Sequence, residues 1–112
     1  MGPSGIILAE RHCKPNASLV SGKEREPLLR QLSGWEIPAD GTLSKSFRFP
    51  DFQTALDFVN RVGAIAEEEG HHPDLHLTWG RVDVSTSTHD AAGLTENDFI
   101  LAARIDRAFS TR

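Results

Sequence analysis

Residues 51–88 read DFQTALDFVNRVGAIAEEEGHHPDLHLTWGRVDVSTST, and this stretch decides the fold. Its first half repeats apolar side chains every three or four positions, which predicts a long amphipathic helix with Asp51 as its N-cap and Gly70 as its C-terminal stop. Its second half alternates apolar and polar side chains on both sides of Gly80. That alternation predicts two antiparallel strands joined by a tight turn.

The flanking segments predict one further strand and two further helices. Ser21 and Glu24 fit a capping box at the start of a helix, and Thr95 is a favoured N-cap for the last helix. Ahead of the long helix, residues 42–49 alternate as a strand. The order helix, strand, helix, strand, strand, helix predicts a single α+β domain, with the helices on one face of a mainly antiparallel sheet.

A length of 112 residues and a mass of 12.3 kDa correspond to one domain. Residues 1–22 begin with turn-rich sequence, and we expect them to form a flexible N-terminal arm. We expect residues 23–112 to form the folded domain. A chain of this size buries only a modest core, so association of subunits would be a natural way to add apolar burial.

Composition narrows the class of protein. The formal net charge is −4 and no Lys/Arg stripe is present, which argues against nucleic acid and anionic membranes as direct partners. Cys13 is the single cysteine, so an internal disulfide framework is excluded and a reducing compartment is favoured. The apolar run at residues 6–9 is too short for a signal-peptide core or a membrane span. We therefore expect a soluble, intracellular protein of the cytoplasm.

Three histidines point to a site. His71 and His72 follow the long helix directly, and His89 lies where the second strand of the predicted hairpin ends. Histidine has an unperturbed pKa of about 6.5, so it gives or takes a proton near neutral pH. Pro73 restricts His72 to an extended backbone, where adjacent side chains diverge and could approach one ligand from different sides. A proton-transfer site is one interpretation.

Two other interpretations stay open on these residues alone. Three histidines and a water can bind zinc, although adjacent histidines rarely bind one ion and no His-x-x-x-His pair lies on a predicted helix. The histidines could also be structural or lie scattered on the surface. A nucleophilic enzyme is less favoured, because Cys13 falls in the arm and no serine lies in a recognisable nucleophile elbow.

A set of spaced positions resembles the signature of the pterin-4a-carbinolamine dehydratase family, namely Glu67-x-x-x-His71-His72-Pro73, Trp79, His89 and Asp98. The spacing also agrees, with an aromatic seven positions after the second histidine, a Thr-His pair that ends ten positions later, and then Gly-Leu-Thr-x-x-Asp. Other positions also resemble the family, namely Gly34-Trp35, Phe47, Phe49 and Leu101-Ala102. The chain departs from some members at Leu75, where they carry an aromatic that borders the pocket.

This resemblance implies a fold and an activity. Members have a four-stranded antiparallel sheet with helices on one side, so the region of Trp35 is expected to supply the fourth strand. They form dimers or tetramers and use neither a metal nor a bound organic cofactor. They dehydrate 4a-hydroxytetrahydrobiopterin, a pterin-4a-carbinolamine, to quinonoid dihydropterin. Their substrate arises when aromatic amino-acid hydroxylases use tetrahydrobiopterin, which the reaction helps to recycle.

The resemblance also implies roles for residues. His71, His72 and His89 would carry the proton transfers, with His72 and His89 favoured as the donor and acceptor pair in an unassigned order. His71 would bind the pterin or act on the other C4a stereoisomer. The remaining motif residues would orient a histidine or border the substrate, and these are Glu67, Pro73, Trp35, Trp79 and Asp98. Glu67 and Asp98 could instead serve only at helix ends, and core packing is favoured for Trp79.

A rival function within the family is accessory binding. Some members stabilise dimers of a transcription factor or assist the assembly of another enzyme, with catalysis lost or secondary. A metal-dependent hydrolase that uses the histidines is a third and weaker alternative.

Overall fold

The computed structural model describes residues 7–111 and has the predicted order of elements. Three helices and three strands follow one another as α1 (Gly22–Leu29), β1 (Leu43–Arg48), α2 (Phe52–Glu69), β2 (Asp74–Thr78), β3 (Arg81–Thr86) and α3 (Glu96–Ser110). Short 3-10 turns lie at Leu8–Glu10 and His89–Ala91. Within residues 7–111, no helix combines the length and the apolar composition that crossing a bilayer requires.

The sheet is antiparallel, with strand order β1-β3-β2. The predicted hairpin is confirmed, because β2 pairs with β3 from Asp74↔Ser85 to Thr78↔Arg81. On β3 the buried side chains alternate with half-buried ones; the strand packs against α2, and buried Thr86 reaches Asp98 of α3. The prediction of a single α+β domain with an antiparallel sheet is therefore confirmed.

The predicted fourth strand is wrong, since the described residues form a sheet of three strands. The region of Trp35 contributes one isolated bridge, in which Glu36 and Ser44 exchange two backbone hydrogen bonds of 2.9 and 2.8 Å. Pro38 follows two residues later and has no N–H to donate. Its carbonyl instead accepts from Gly41 N–H in a turn, which ends the pairing on that side, and Gly34 at φ 79° departs from the extended conformation on the other side.

The core fills the space between the sheet and the two long helices. Its largest fully buried side chains include Phe47, Phe58, Phe99, Leu43, Leu101 and Ile105. Phe47, Phe58 and Phe109 pack with ring centroids 4.9 to 5.7 Å apart, the range in which tilted and edge-to-face aromatic contacts are favourable. This packing joins the N-terminal half of α2 to the C-terminal end of α3, and the opposite ends of both helices contribute to the candidate site.

Trp79 corrects another expectation, because it does not pack in the core. It lies in the two-residue turn between β2 and β3, beyond the last pair Thr78↔Arg81, and is 72% exposed. Gly80 completes that turn at φ 69°, a left-handed conformation that glycine adopts without strain. A side chain at the tip of a hairpin has no neighbouring strand to cover it.

Residues 7–20 lie against the body of the domain. Leu8 is 1% exposed and belongs to the core, and Val20 N–H donates to Leu94 C=O at 3.0 Å. The residues that precede Ile7 lie outside the described part of the chain. The division into a flexible arm over residues 1–22 and a domain over residues 23–112 stays a prediction. The contacts above hold residues 7–20 of this arm against the rest of the domain.

Candidate functional site

One cleft of about 400 Å³ is lined by all three motif histidines. One wall is the connection from α2 to β2, which carries His71, His72 and Pro73. The other wall is residues 87–90, which follow β3 and include His89. Residues 18 positions apart in the chain therefore face one space.

The end of α2 separates the two adjacent histidines. Gly70 adopts the left-handed conformation at φ 64°, and the N–H groups of Gly70 and His71 both reach the carbonyl of Ala66. This hydrogen-bonding pattern ends a helix and turns the chain sharply. His71 is directed inward, with a side chain 12% exposed, whereas the His72 side chain is 60% exposed.

His71 is paired with a fully buried carboxylate. Its Nε2 lies 2.7 Å from Oδ1 of Asp98, a residue in the first turn of α3. That carboxylate also accepts hydrogen bonds from the Thr86 hydroxyl at 2.7 Å, the Thr88 hydroxyl at 2.8 Å and the Thr95 N–H at 2.9 Å. Asp98 thus receives four hydrogen bonds, and its side chain is 0% exposed to solvent.

The hydrogen bonds decide the charge of Asp98. Burial alone disfavours the carboxylate and raises its pKa, but the bonds from His71, Thr86, the Thr95 backbone and Thr88 outweigh burial and bring the pKa below its ordinary value. An ionised carboxylate only accepts, so Nε2 of His71 must carry a proton. The second nitrogen, Nδ1, makes no hydrogen bond to the part of the chain from residue 7 to residue 111 and is left to act on a ligand.

His72 is paired with a carboxylate at the surface. Its Nε2 lies 2.5 Å from Oε2 of Glu67, whose side chain is 79% exposed. Glu67 occupies the last turn of α2, so the pair spans the end of that helix. Exposed pairs of this kind contribute little to stability, because water and salt screen them.

His89 is exposed and lies in the short 3-10 turn after β3. Its ring hydrogen-bonds to none of residues 7–111, so it is open to solvent and to a ligand. It lines the histidine cleft on one side and a second, smaller cleft on the other. That position makes His89 the point at which the two clefts meet.

The structure does not bring the two tryptophans into the histidine cleft. Trp35 is 5% exposed, packs edge-on against Phe47 and donates from Nε1 to Oδ1 of Asp106 at 3.0 Å. Trp79 lies at the opposite end of β2 from His72, roughly 20 Å away at 3.3 Å per residue. Within one copy of the chain, neither ring borders a ligand bound among the histidines.

A second network, which the sequence did not indicate, joins the arm to the end of α2. The Glu69 side chain is 1% exposed and accepts from Cys13 N–H at 2.7 Å, while its other oxygen lies 2.8 Å from Nδ1 of His12. Burial raises the pKa of Glu69, but the hydrogen bonds from Cys13 and His12 and the charge of Arg104 outweigh it and lower that pKa overall. Glu69 continues the buried stripe of Val62 and Ala66 on α2, and that spacing is the sequence feature that could have indicated its burial.

The arm also forms one wall of a cavity of about 520 Å³ beside His71. Asn97 fixes this wall, since it accepts from Lys14 N–H at 3.0 Å and donates to Lys14 C=O at 2.7 Å. Burial, together with the charges of Glu69 and Asp98, raises the pKa of the Cys13 thiol to about 12, so the thiol stays protonated. Across residues 7–111, no three His, Cys, Asp or Glu side chains are grouped to hold a metal ion.

Comparisons with solved structures agree with this geometry. A crystal structure from Brucella melitensis, described as a transcriptional coactivator/pterin dehydratase, is 33% identical with a TM-score of 0.75, covering 80% of this chain and 96% of that one. A pterin dehydratase-like protein described as a RuBisCO assembly factor of the alpha-carboxysome is 23% identical with a TM-score of 0.59, covering 68% and 89%. The second likeness shows the fold alone.

Comparisons of sequence are more specific. A protein of Rubrobacter xylanophilus, provisionally named a pterin-4-alpha-carbinolamine dehydratase, is 50% identical over 103 residues, which cover 89% of this chain and 96% of the relative. A protein of Xanthomonas oryzae with the same provisional name is 45% identical over 108 residues, with 93% and 92% covered. The sequence model of the family described as pterin 4 alpha carbinolamine dehydratase matches residues 18–108. The chain therefore belongs to the pterin-4-alpha-carbinolamine dehydratase family.

Proposed function

We propose that this chain dehydrates 4a-hydroxytetrahydrobiopterin to quinonoid dihydropterin by histidine acid–base catalysis. The observation that carries the proposal is the meeting of His71, His72 and His89 in one cleft of about 400 Å³. Membership of the family supports the choice of a pterin as substrate. The enzyme is a hydro-lyase.

The reaction needs two proton transfers and no change of oxidation state. An acid protonates the hydroxyl on C4a, the C4a–O bond breaks and water leaves. A base takes the proton from N5, and the C4a=N5 double bond forms. A positioned acid or base typically contributes about 10²- to 10⁴-fold to the rate of such a step.

The exposed histidines suit the proton transfers. His72 and His89 both face the cleft and solvent, so each can exchange its proton with water between turnovers. His71 is held by Asp98 with its proton on Nε2, which suits it to bind the pterin or to act on the other C4a stereoisomer. Glu67 orients His72, and Pro73 shapes the cleft beside it.

Neither step requires a metal or an organic cofactor, and we propose that the enzyme uses none. We further propose that it works in the cytoplasm as a homodimer or homotetramer, in the pathway that supplies aromatic amino-acid hydroxylases. We propose that it binds neither nucleic acid nor membranes directly.

Stopped-flow absorbance with freshly generated 4a-hydroxytetrahydrobiopterin tests the proposal. Wild-type protein should accelerate dehydration over buffer, with the same rate in the presence of a chelator. His72→Ala and His89→Ala should each lose about 10²- to 10⁴-fold in kcat while staying folded. His76→Ala is the matched control, since His76 is an exposed histidine on β2 that does not line the cleft. Full activity in both cleft variants would contradict the assignment of the acid and the base.

An accessory binding role is the second candidate. It is favoured by the structural neighbour described as a transcriptional coactivator/pterin dehydratase. If folded wild-type protein fails to accelerate dehydration, this role replaces catalysis. The next experiment would then be a search for a protein partner by affinity capture with the wild-type chain.

A further inference from the structure

A second cleft, of about 290 Å³, opens on the far side of His89. It shares Ser87, Thr88 and His89 with the histidine cleft, so the two form one path across that ring. Its outer wall carries Arg25 from α1 and Asp40 from the turn between Glu36 and Ser44. One cationic and one anionic side chain therefore face the same small space.

The Arg25 side chain has no partner in the described chain. Its Nε is buried and unbonded, and the guanidinium makes no hydrogen bond or ion pair with any group of residues 7–111. A buried donor without a partner costs free energy unless water or a ligand satisfies it. The two Nη groups of Arg25 are likewise unbonded but are not buried, so they can donate to a molecule in the cleft.

Asp40 supplies the complementary acceptor. Its Oδ1 accepts from Thr42 N–H at 3.0 Å and from the Thr42 hydroxyl at 2.8 Å. These hydrogen bonds hold the pKa of Asp40 below its usual value and fix the orientation of the carboxylate. A hydroxyl group both donates and accepts, so a donor and an acceptor on one cleft match a polyhydroxylated group. A phosphate would be attracted by Arg25 but repelled by Asp40.

The chemistry of the proposed reaction places such a group here. In the pterin ring, C4a, N5 and C6 are consecutive atoms, so a histidine that acts at C4a or N5 lies beside the substituent on C6. Tetrahydrobiopterin carries a dihydroxypropyl group at C6. We propose that Arg25 and Asp40 form a subsite for the hydroxylated C6 side chain of the pterin, an inference that rests on the proposed function.

Two substrates that differ only at C6 test the subsite. The 4a-hydroxy derivatives of tetrahydrobiopterin and of 6-methyltetrahydropterin carry a dihydroxypropyl and a methyl group, respectively. Arg25→Gln should lower kcat/KM about 10- to 100-fold for the dihydroxypropyl substrate, the range for a hydrogen bond to a charged group, and leave the methyl substrate unchanged. Asp40→Asn should act in the same direction. Arg30→Gln is the matched control, because Arg30 is exposed at the end of α1 and does not line the cleft.

The outcomes separate this inference from the proposed function. Equal losses for both substrates, or no loss for either, would overturn the subsite while dehydration by the wild type still supports the function. If the wild type turns over neither substrate, fluorescence titration with the stable pterins biopterin and 6-methylpterin decides the subsite by itself. Preference for biopterin that Arg25→Gln removes supports it, and equal affinities reject it. Circular dichroism and urea unfolding establish that each variant is folded.

Discussion

The two adjacent histidines each meet a carboxylate, and the surroundings of the two pairs differ. The His71–Asp98 pair is 12% and 0% exposed, and Asp98 accepts three further hydrogen bonds from β3, the segment after it and the start of α3. The His72–Glu67 pair is 60% and 79% exposed and has no such connections among residues 7–111. Both pairs have a short distance between the histidine Nε2 and a carboxylate oxygen, so this distance does not distinguish the buried pair from the exposed pair.

The difference lies in what each pair holds in place. Asp98 connects the end of α2 to β3 and α3, so it fixes the position of the histidine cleft as well as the tautomer of His71. Glu67 and His72 belong to the same end of α2, and their contact joins no separate elements. We therefore expect the buried pair to be structural and functional, whereas the exposed pair should affect mainly the proton equilibrium of His72.

Asp98→Ala should cause the largest loss of stability, because four donors lose their acceptor in a buried place. Breaking a buried charged pair typically costs about 3–5 kcal/mol in the free energy of unfolding. Urea unfolding followed by circular dichroism measures this loss, and Glu67→Ala serves as the exposed counterpart. A loss for Asp98→Ala no larger than for Glu67→Ala would contradict the comparison.

Acid should weaken the buried pair in a defined direction. The pKa of Asp98 is lower in the folded chain than the ordinary carboxyl value near 3.9, so its stabilising effect is complete above that value and is lost as the pH falls through the folded pKa. Asp98→Asn cannot ionise. The difference in unfolding free energy between the wild type and this variant should be constant near neutral pH and narrow below about pH 4.

Unfolding measured from pH 7 down to pH 3 checks this prediction. Glu67→Gln provides the comparison for the exposed pair, and its difference from the wild type should stay small throughout. A difference for Asp98→Asn that grows on acidification would mean that the folded state does not favour the ionised form of Asp98.

A third carboxylate extends the comparison to the arm. The Glu69 side chain is 1% exposed, close to the 0% of Asp98, but it accepts from the arm, namely from the Cys13 backbone and His12. Glu69→Ala should cost about 1–3 kcal/mol, the range for a buried hydrogen-bonding group left unsatisfied. Limited proteolysis should then cut the arm sooner than in the wild type. Unchanged proteolysis would show that the other contacts of the arm, including those of Leu8 and Lys14, hold it without Glu69.

Glu67→Gln should have the smallest effect on stability. Exposed substitutions of this kind usually change the unfolding free energy by less than about 0.5 kcal/mol, and salt screens the pair further. Its effect should instead appear in the pH profile of kcat, which would shift if His72 is the acid or the base. A pH profile identical to that of the wild type would remove Glu67 from the proposed mechanism.

Local signals explain why most of the fold could be predicted. The apolar stripe of α2, the cap residues and the alternation around Gly80 all act within a few residues. The strand expected at Trp35 failed because Pro38 and the turn to Gly41 stop the pairing after one bridge. Trp79 continues the apolar alternation of Leu75 and Leu77, which predicts that its side chain points inward. That alternation does not show which residues belong to the tight turn and no longer to the strand.

The site shows a similar division. The motif spacing predicted a shared site for the three histidines, and all three line one cleft. The pairing of each histidine with a particular acid could not be predicted, because Asp98 lies 27 positions from His71 and reaches it only through contacts between helices and strands. Three consecutive acids, as at residues 67–69, are typical of a solvated face, which conceals the burial of Glu69. Successive residues of a helix point about 100° apart, so the three acids of that run face different directions and only Glu69 turns inward.

The contact between Cys13 and Glu69 makes the reactivity of the Cys13 thiol a measure of whether the arm is docked. The chain has one cysteine, and burial keeps its thiol pKa at about 12 while the arm is docked. The thiolate is the form that attacks an alkylating reagent, so labelling proceeds through the fraction of molecules in which the arm has lifted. The alkylation half-life of the unmodified chain therefore measures how often the wall beside His71 opens, and a pterin that closes that wall would lengthen it.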